Sequence, residues 1–505
     1  MPLTKRHSTT LLVTVFIIAV CGLVYELIIG TISSYLLGNS VTHFSLTIGL
    51  FLSAMGVGSF ISRRITRSLL GWFILVEMAV GLVGGASAVL LYAVFATSRL
   101  YYVAMTLLIL LIGSLIGMEI PILTRLMGGW DALKDTLANV LAFDYMGALL
   151  GSILFPIILL PQLGLMKTGF AIGLLNLVVV VLNIWIFRHR LLRWRALSAL
   201  AAGVIVLLVG GLLWSVQLTS FFEKQLYEDE IIYAQQTRYQ RIVVTRWADD
   251  VRLYLDGNLQ FSAKDEYRYH EFLVHPAMSL SRSREAVLVL GGGDGLVNRE
   301  VLKYDDVQRL VLVDLDPAMT DLAQNFPSLL AINQDSLSDP RVEIINQDAF
   351  TYLAETAEQF GVIIIDLPDP NNESLGKLYS REFYKLVQRH LATGGVAVSQ
   401  ATSPYFARET YWSIVHTAAD VGFNTRPYHI YVPSFGDWGF FLAAEHEPDI
   451  SNFAPQVPMQ YLTSQLLATS LIFDSDTAEV ATEINTLDNQ VILTYYERGW
   501  REWSN

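Results

Sequence analysis

The sequence predicts two unlike parts in series: a bundle of membrane-spanning helices, then an α/β unit in which a small antiparallel sheet leads into a parallel one. Three observations predict it. Charge is spread unevenly, with 13 Lys/Arg and 6 Asp/Glu in residues 1–220 but 21 and 41 in residues 221–505. The first part holds long apolar runs, whereas the second holds short strands alternating with helices. Carboxylates recur at the C-terminal ends of the expected parallel strands. A single soluble globule is excluded, because the first part has too few charges to face water. The 53% hydrophobic content excludes disorder, and the lone Cys21 in an apolar run excludes a disulfide scaffold. The acidic second part argues against a nucleic-acid partner, since phosphate binding needs a basic face. The expected divisions are about 1–220, 221–280, 281–445 and 446–505, in keeping with ordinary domain sizes.

In the first part, seven segments reach the roughly 20 apolar residues that a crossing needs. They lie at about 10–31, 43–62, 69–96, 100–123, 140–161, 165–187 and 196–219 by the hydropathy rule. The first is no signal peptide: it is too long, lacks a small-residue cleavage site and is followed by further spans. Small residues (Gly49, Gly56, Gly58, Gly147, Gly151) suit close helix approach in lipid. Eleven basic residues, from Lys5 and Arg6 to Arg193 and Arg195, fall on one side, and only Arg99 and Lys167 on the other. The positive-inside rule puts that side, with the N-terminus, in the cytoplasm of a cell-membrane protein. Glu26, Glu77, Glu119 and Asp144 lie within or at the ends of spans. Such acids either cap and pair helices or line a cation path, and Glu119, just before Pro121, is the first choice for a cation site.

From Tyr227 onward the pattern becomes short alternating strands with Asp and Gly turns, an antiparallel sheet over about 228–262. Then strands at Val287–Leu290, Leu310–Val313, Val342–Ile345, Val362–Ile365 and Gly395–Ser399 alternate with helices, a Rossmann-like order. Gly291-Gly292-Gly293-Asp294-Gly295 follows the first of them. It fails the G-x-G-x-x-G dinucleotide spacing, and Asp294 would repel a pyrophosphate. A nucleoside without phosphate, such as an adenosyl thioether or sulfonium, suits the loop better. Asp314 stands where ribose hydroxyls are bound in such folds, and Asp348 near the adenine or ribose end. Asp294, Asp366 and Asp369 converge on one cleft. Acids that repel one another there call for a cation. Without a His/Cys cluster or a glycine-bearing calcium loop, an organic polycation is a simpler guest than a metal, and no resident cofactor is expected.

From about Gln240 to Ala443 the sequence resembles the spermidine synthases, the polyamine aminopropyltransferases. The resemblance rests on Tyr239-Gln240, Asp256-Gly257, Asp265-Glu266-Tyr267, Tyr269-His270-Glu271, Gly291 to Gly295, Asp314-Leu315-Asp316, Asp348-Ala349, Asp366 to Pro370 and Tyr379 to Tyr384. The spans resemble the membrane-fused branch of that family. The resemblance implies a methyltransferase-type catalytic sheet, a possible dimer or larger oligomer, and aminopropyl transfer from decarboxylated S-adenosylmethionine, the co-substrate, to putrescine or a related amine. It also implies that Gln240, Gly291, Gly293, Asp314, Asp348 and Ala349 hold the nucleoside. Tyr269, His270, Asp294 and Asp369 would hold the amine, and Asp366 would accept its proton. Leu367 and Pro368 replace two serines usual in soluble members, and Phe435 replaces a usual tyrosine; both changes touch the acceptor end and leave the amine open.

Two other readings use the same residues: an S-adenosylmethionine-dependent methyltransferase, which does not require three acids, and a polyamine transporter or sensor, which does not require a base. His275, His416 and His429 read as packed or surface groups, Trp438 as a core residue, and Tyr461, Leu462, Leu466 and Leu467 as an amphipathic helix of the tail. Seven crossings place the second part outside, while a cytosolic donor asks for the opposite side. The charge pattern and the donor chemistry thus point to different faces of the membrane.

Overall fold

Long apolar runs satisfy their backbone groups internally by forming helices, and the first part does so throughout. The computed structural model describes residues 5–37, 40–97, 100–127, 133–227, 229–450, 453–454, 456–501 and 503. It comprises two units, Met1–Glu230 and Ile231–Asn505.

The first unit contains α1 (Lys5–Leu37), α2 (Ser40–Ser62), α3 (Leu69–Thr97), α4 (Tyr101–Met127), α5 (Leu133–Leu154), α6 (Leu160–Phe187), α7 (Trp194–Leu213) and α8 (Ser215–Leu226). Among the described residues, six stretches are long and apolar enough to cross a membrane, because α5 and α6 run on as one 57-residue stretch, Lys134–Arg190. A straight helix of that length would reach roughly 85 Å, against a hydrocarbon core of about 30 Å. It is not straight: a π-helical turn at Phe155–Leu159 and the non-helical Gly164 (φ 70°, ψ 176°) interrupt it. The break falls between the spans expected at 140–161 and 165–187. The last expected span is too long in the sequence reading. Trp214 leaves helical geometry, so α7 ends at Leu213 and α8 begins separately. α1 packs with α5, α2 with α4, and α3 with α6. Close approach depends on glycine: a Cβ at Gly173 of α6 would sit 2.7 Å from the Gly81 carbonyl of α3. Of the glycines singled out by sequence, Gly58, Gly147 and Gly151 meet a neighbouring helix backbone, but Gly49 and Gly56 face open space.

The second unit opens with a four-stranded antiparallel sheet: β1 (Glu230–Gln236), β2 (Arg241–Trp247), β3 (Asp250–Leu255) and β4 (Asn258–Ser262). α9 (Glu266–Leu280) leads into β5 (Ala286–Gly291), α10 (Leu296–Val301), β6 (Arg309–Asp314), β7 (Val342–Asn346), β8 (Phe360–Asp366), β9 (Leu391–Gln400), β10 (Asn424–Val432) and β11 (Gly436–Ala444). The seven-stranded order is β10-β11-β9-β8-β5-β6-β7. β5 to β9 run parallel, while β11 pairs antiparallel with β9 and β10 in a closing hairpin beyond the five strands expected. Continuous apolar strands suit burial on both faces. Val287, Val289, Leu310, Leu312, Val362 and Ile364 enter one core, and Leu288, Leu290, Val311, Val313, Ile363 and Ile365 the other. Connections diverge on either side of β5, so a crevice opens at the C-terminal ends of β5, β6 and β8.

The tail is fastened to this unit by a buried acid. Glu271 of α9 accepts backbone N–H bonds from Gln460 (2.5 Å), Tyr461 (2.8 Å) and Leu462 (2.7 Å). The expected tail helix is only Ser464–Thr469; Tyr461 and Leu462 lie in its non-helical lead-in. A second helix, Val491–Arg501, packs on the helix Arg408–Asp420. Removing the acceptor in Glu271→Ala strands three amides, each worth about 1–3 kcal/mol when buried. The expected outcome is a drop of several degrees in the Tm of the purified full chain, followed by tail-specific loss of amide-exchange protection.

Candidate active site

The crevice is built from strand ends, the glycine loop and α9. Gly291 pairs in register with Asp366, which brings the loop and the acid together. Gly291 has φ 83°, and a Cβ there would collide with the Asp366 carbonyl, so only glycine fits. The Gly293 N–H donates to Asp314 Oδ2 (3.1 Å), and a Cβ at Gly293 would lie 2.5 Å from that same oxygen.

Asp314 stands at the C-terminal end of β6. Its Oδ1 accepts the Asp316 N–H (2.9 Å), and burial pushes its pKa up to about 6. Gln240 reaches the same place, donating to Asp316 Oδ2 (3.1 Å). Asp348 caps the helix Ala349–Glu355, accepting from the Thr351 N–H (3.0 Å) and pairing with Lys377 Nζ (2.7 Å). Burial works against its charged form, but the Lys377 and Thr351 bonds win and hold its pKa below the usual range. Ala349 is buried beside it in sequence, in the helix's first turn.

The amine end gathers four of the expected residues. The Tyr269 hydroxyl donates to Asp366 Oδ1 at 2.6 Å. Burial, then the Asp366 charge, pushes the Tyr269 phenol well above its ordinary value, so it is a donor at every working pH. His270 is held at Nδ1 by Glu266 Oε2 (2.8 Å), and Glu266 in turn by Arg299 (2.8 and 2.9 Å). Burial opposes protonation of His270, but Glu266, Asp294 and Asp366 outweigh it and raise its pKa. Burial raises Asp366; His270 and the Tyr269 hydrogen bond act the other way. Burial pushes Asp294 up to about 6, with the Asp366 charge adding to it and His270 opposing.

Asp369 lies across the β8 loop. Its Oδ2 accepts from Thr402 Oγ1 (2.8 Å), and burial pushes its pKa up to about 6. Among the described residues, no lysine or arginine ion pair neutralises Asp294, Asp366 or Asp369. Tyr379 and Gln400 brace the loop: the Tyr379 hydroxyl is 3.0 Å from the Leu367 and Pro368 carbonyls, and Gln400 Nε2 donates to Leu367 O. Phe435 and Phe440 flank the Tyr269 ring, and Phe435 also packs on Trp438.

Sequence reasoning missed Thr402, Gln400 and Tyr496. Thr402 holds positive φ (61°), which no local pattern announces. Tyr496, on the helix Val491–Arg501, brings its phenol within electrostatic reach of Asp369. The same helix stacks Trp500 on Phe406, whose ring abuts Gly436 in the β10–β11 turn. The three outlying histidines are structural: His275 meets Tyr304 and Glu300, His416 meets Thr482 and Glu479, and His429 meets Asp437 and Ile472 O.

Comparison with known proteins gives a consistent picture. Residues 266–453 match the Spermine/spermidine synthase domain. A polyamine aminopropyltransferase of Leptospira interrogans is 47% identical over 98% of this chain and 99% of its own length. Proteins of that same description are 43% identical in Oceanobacillus iheyensis (96% of each chain) and 40% in Mycobacterium tuberculosis (98% and 97%). Among solved structures, a spermidine synthase in complex with the transition-state analogue AdoDATO is 30% identical, covering 48% of this chain and 86% of that one, with a TM-score of 0.46.

The Gly293–Asp314 contact makes a direct test. Gly293→Ala forces the Asp314 carboxylate aside. Methylthioadenosine, measured by titration calorimetry on the full chain, is expected to bind at least about tenfold more weakly, the cost of one lost ribose contact.

Proposed function

The chain belongs to the spermine/spermidine synthase family of polyamine aminopropyltransferases, and from that premise we propose how its own residues perform the transfer. The donor is decarboxylated S-adenosylmethionine and the acceptor is a diamine of the putrescine type. The amine nitrogen attacks the aminopropyl carbon beside the sulfonium. A C–N bond forms, the C–S bond breaks, and the electron pair stays on sulfur as neutral methylthioadenosine leaves. The attacking amine gives up one proton.

That proton is the chemical obstacle, because an alkyl amine in water holds it with a pKa of about 10. Asp366 accepts it as the C–N bond forms, and the 2.6 Å hydrogen bond from Tyr269 fixes the carboxylate's direction. Asp294 and Asp369 anchor the ammonium groups, so that the free end is presented in line with the departing sulfur. His270, clamped by Glu266 and Arg299, orders the wall between Asp294 and Asp366. Asp314, Gln240, Asp348 and Ala349 take the nucleoside. The carrying observation is the set of unneutralised acids about one crevice. Leu367 and Pro368 add no hydroxyls to the acceptor end, and the Tyr496 phenol from the tail lies within electrostatic reach of Asp369. The six long apolar stretches among the described residues support a multi-pass membrane protein in contact with lipid.

Asp366→Asn is expected to lower kcat by about 10²–10⁴, the usual value of a positioned base, with methylthioadenosine affinity kept. Methylthioadenosine release under saturating amine measures it, and near-normal turnover would remove Asp366 as the base.

The raised acids carry a second consequence. Asp294, Asp314 and Asp369 have folded pKa values pushed up to about 6, above their ordinary 3.8. Their protonated forms therefore favour the folded state: this contribution is complete below about pH 4 and is lost as pH rises through about 6. At pH 8 the empty cleft is a strained site. Asp369→Asn is expected to raise the Tm at pH 8 and to leave it almost unchanged at pH 4, while the KM for the amine rises at least about tenfold, the cost of a lost ion pair.

A further inference from the structure

The helical unit holds polar groups that aminopropyl transfer does not use. Glu77 on α3 is 1% exposed and Glu119 on α4 is 5% exposed, each inside an apolar bundle. Both oxygens of Glu77 and Oε1 of Glu119 are buried without a hydrogen-bond partner, and the two carboxyl groups lie close enough to act on one another. Two further groups converge on them. Tyr25 on α1 is fully buried, its hydroxyl has no partner, and it lies within electrostatic reach of both acids. Asn176 on α6 is fully buried, donates from Nδ2 to the Glu77 carbonyl (2.8 Å), and has an unpartnered Oδ1. Room for this meeting comes from Gly84, where a Cβ would strike the Tyr25 ring, and Gly81, where one would crowd Leu177 and Asn176.

Two ionised carboxylates cannot rest in contact in such surroundings, because their repulsion and the loss of hydration add. No lysine, arginine or histidine among the described residues is an ion-pair partner of either acid; the titratable groups that face them are Cys21 and Tyr25 from α1 and Asp144 from α5, all neutral or acidic. What resolves the conflict is a cation small enough for a closely packed interior. We propose that Glu77 and Glu119 form a proton-binding site in the membrane unit, in which one proton is shared between the two carboxyl groups, with Tyr25 and Asn176 as the flanking polar partners. One carboxyl donates its O–H and the other accepts, so the pair carries a single negative charge. The site lies where α1, α3, α4 and α6 meet, and Asp144 on α5 is a further acid within electrostatic reach of Glu119.

A shared proton has a spectroscopic signature that structural packing alone does not give. Infrared spectra of the full chain in nanodiscs at pH 8 are expected to keep a protonated-carboxyl C=O band, because the cleft acids pushed up to about 6 have ionised by then. In Glu119→Gln the amide N–H takes the place of the shared O–H, so the band should disappear while the Tm and methylthioadenosine release stay near the parent values. Glu77→Gln should behave alike, and it keeps the test open if one variant fails to fold. A wild-type spectrum without that band at pH 8, or a band unchanged in both folded variants, would overturn the site. Neither result would touch the transfer reaction, which is read separately through methylthioadenosine.

Discussion

The burial of three carboxyl groups, Asp294, Asp366 and Asp369, with no lysine or arginine paired to them among the described residues, is the constraint on which the catalytic unit turns. Each acid comes from a different part of the fold: the glycine loop after β5, the end of β8, and the loop beyond it, where Asp369 stands between Pro368 and Pro370. An arginine nearby would calm the crevice and also destroy its use. The fold has such arginines and spends them elsewhere, for Arg299 pairs with Glu266 and Glu300 behind His270. The result is an acidic opening backed by a fully paired wall. Net stability of a domain is only about 5–15 kcal/mol, so a few strained acids are a noticeable fraction of it. Binding a polycation relieves the strain, which ties affinity for the amine to the energy of the empty site.

Geometry within that opening is fixed by close backbone approaches and by neighbouring side chains. Glycine at 291 and 293 lets backbone and carboxylate approach without a Cβ. Tyr379 and Gln400 hold the Leu367–Pro368 turn in place. Glu271, immediately after the His270 of the site, turns away to fasten the tail, and the tail returns Tyr496 to Asp369. Three consecutive residues of α9 thus have three different partners: Tyr269 bonds Asp366, His270 bonds Glu266, and Glu271 bonds the tail.

Much of this was legible in the sequence. The apolar strands Val287–Leu290, Leu310–Val313 and Val362–Ile365 are continuous because both faces are buried, and their terminal acids announce which end binds ligand. The membrane helices were legible for the same reason, apolar length. What was hidden depended on long-range partners. Trp214 ends α7 although the apolar run continues, and the β10–β11 hairpin passes through polar residues such as His429 and Asp437 that pair only across the turn. Tyr496 is 127 positions from Asp369, in a tail with no motif. Glu77 stood out only as an acid in a span; its contact with Glu119 needs the packing of α3 on α4.

The central claim, acids in an unneutralised crevice that require a cation, is tested most directly by thermal shift. The full chain is melted with and without putrescine, in the presence of methylthioadenosine, at pH 8 and at pH 4. The account expects the diamine to raise the Tm clearly at pH 8, where Asp294, Asp366 and Asp369 are ionised, and to have little effect at pH 4. A diamine effect equal at both pH values, or no larger than that of sodium chloride at matched ionic strength, would contradict it.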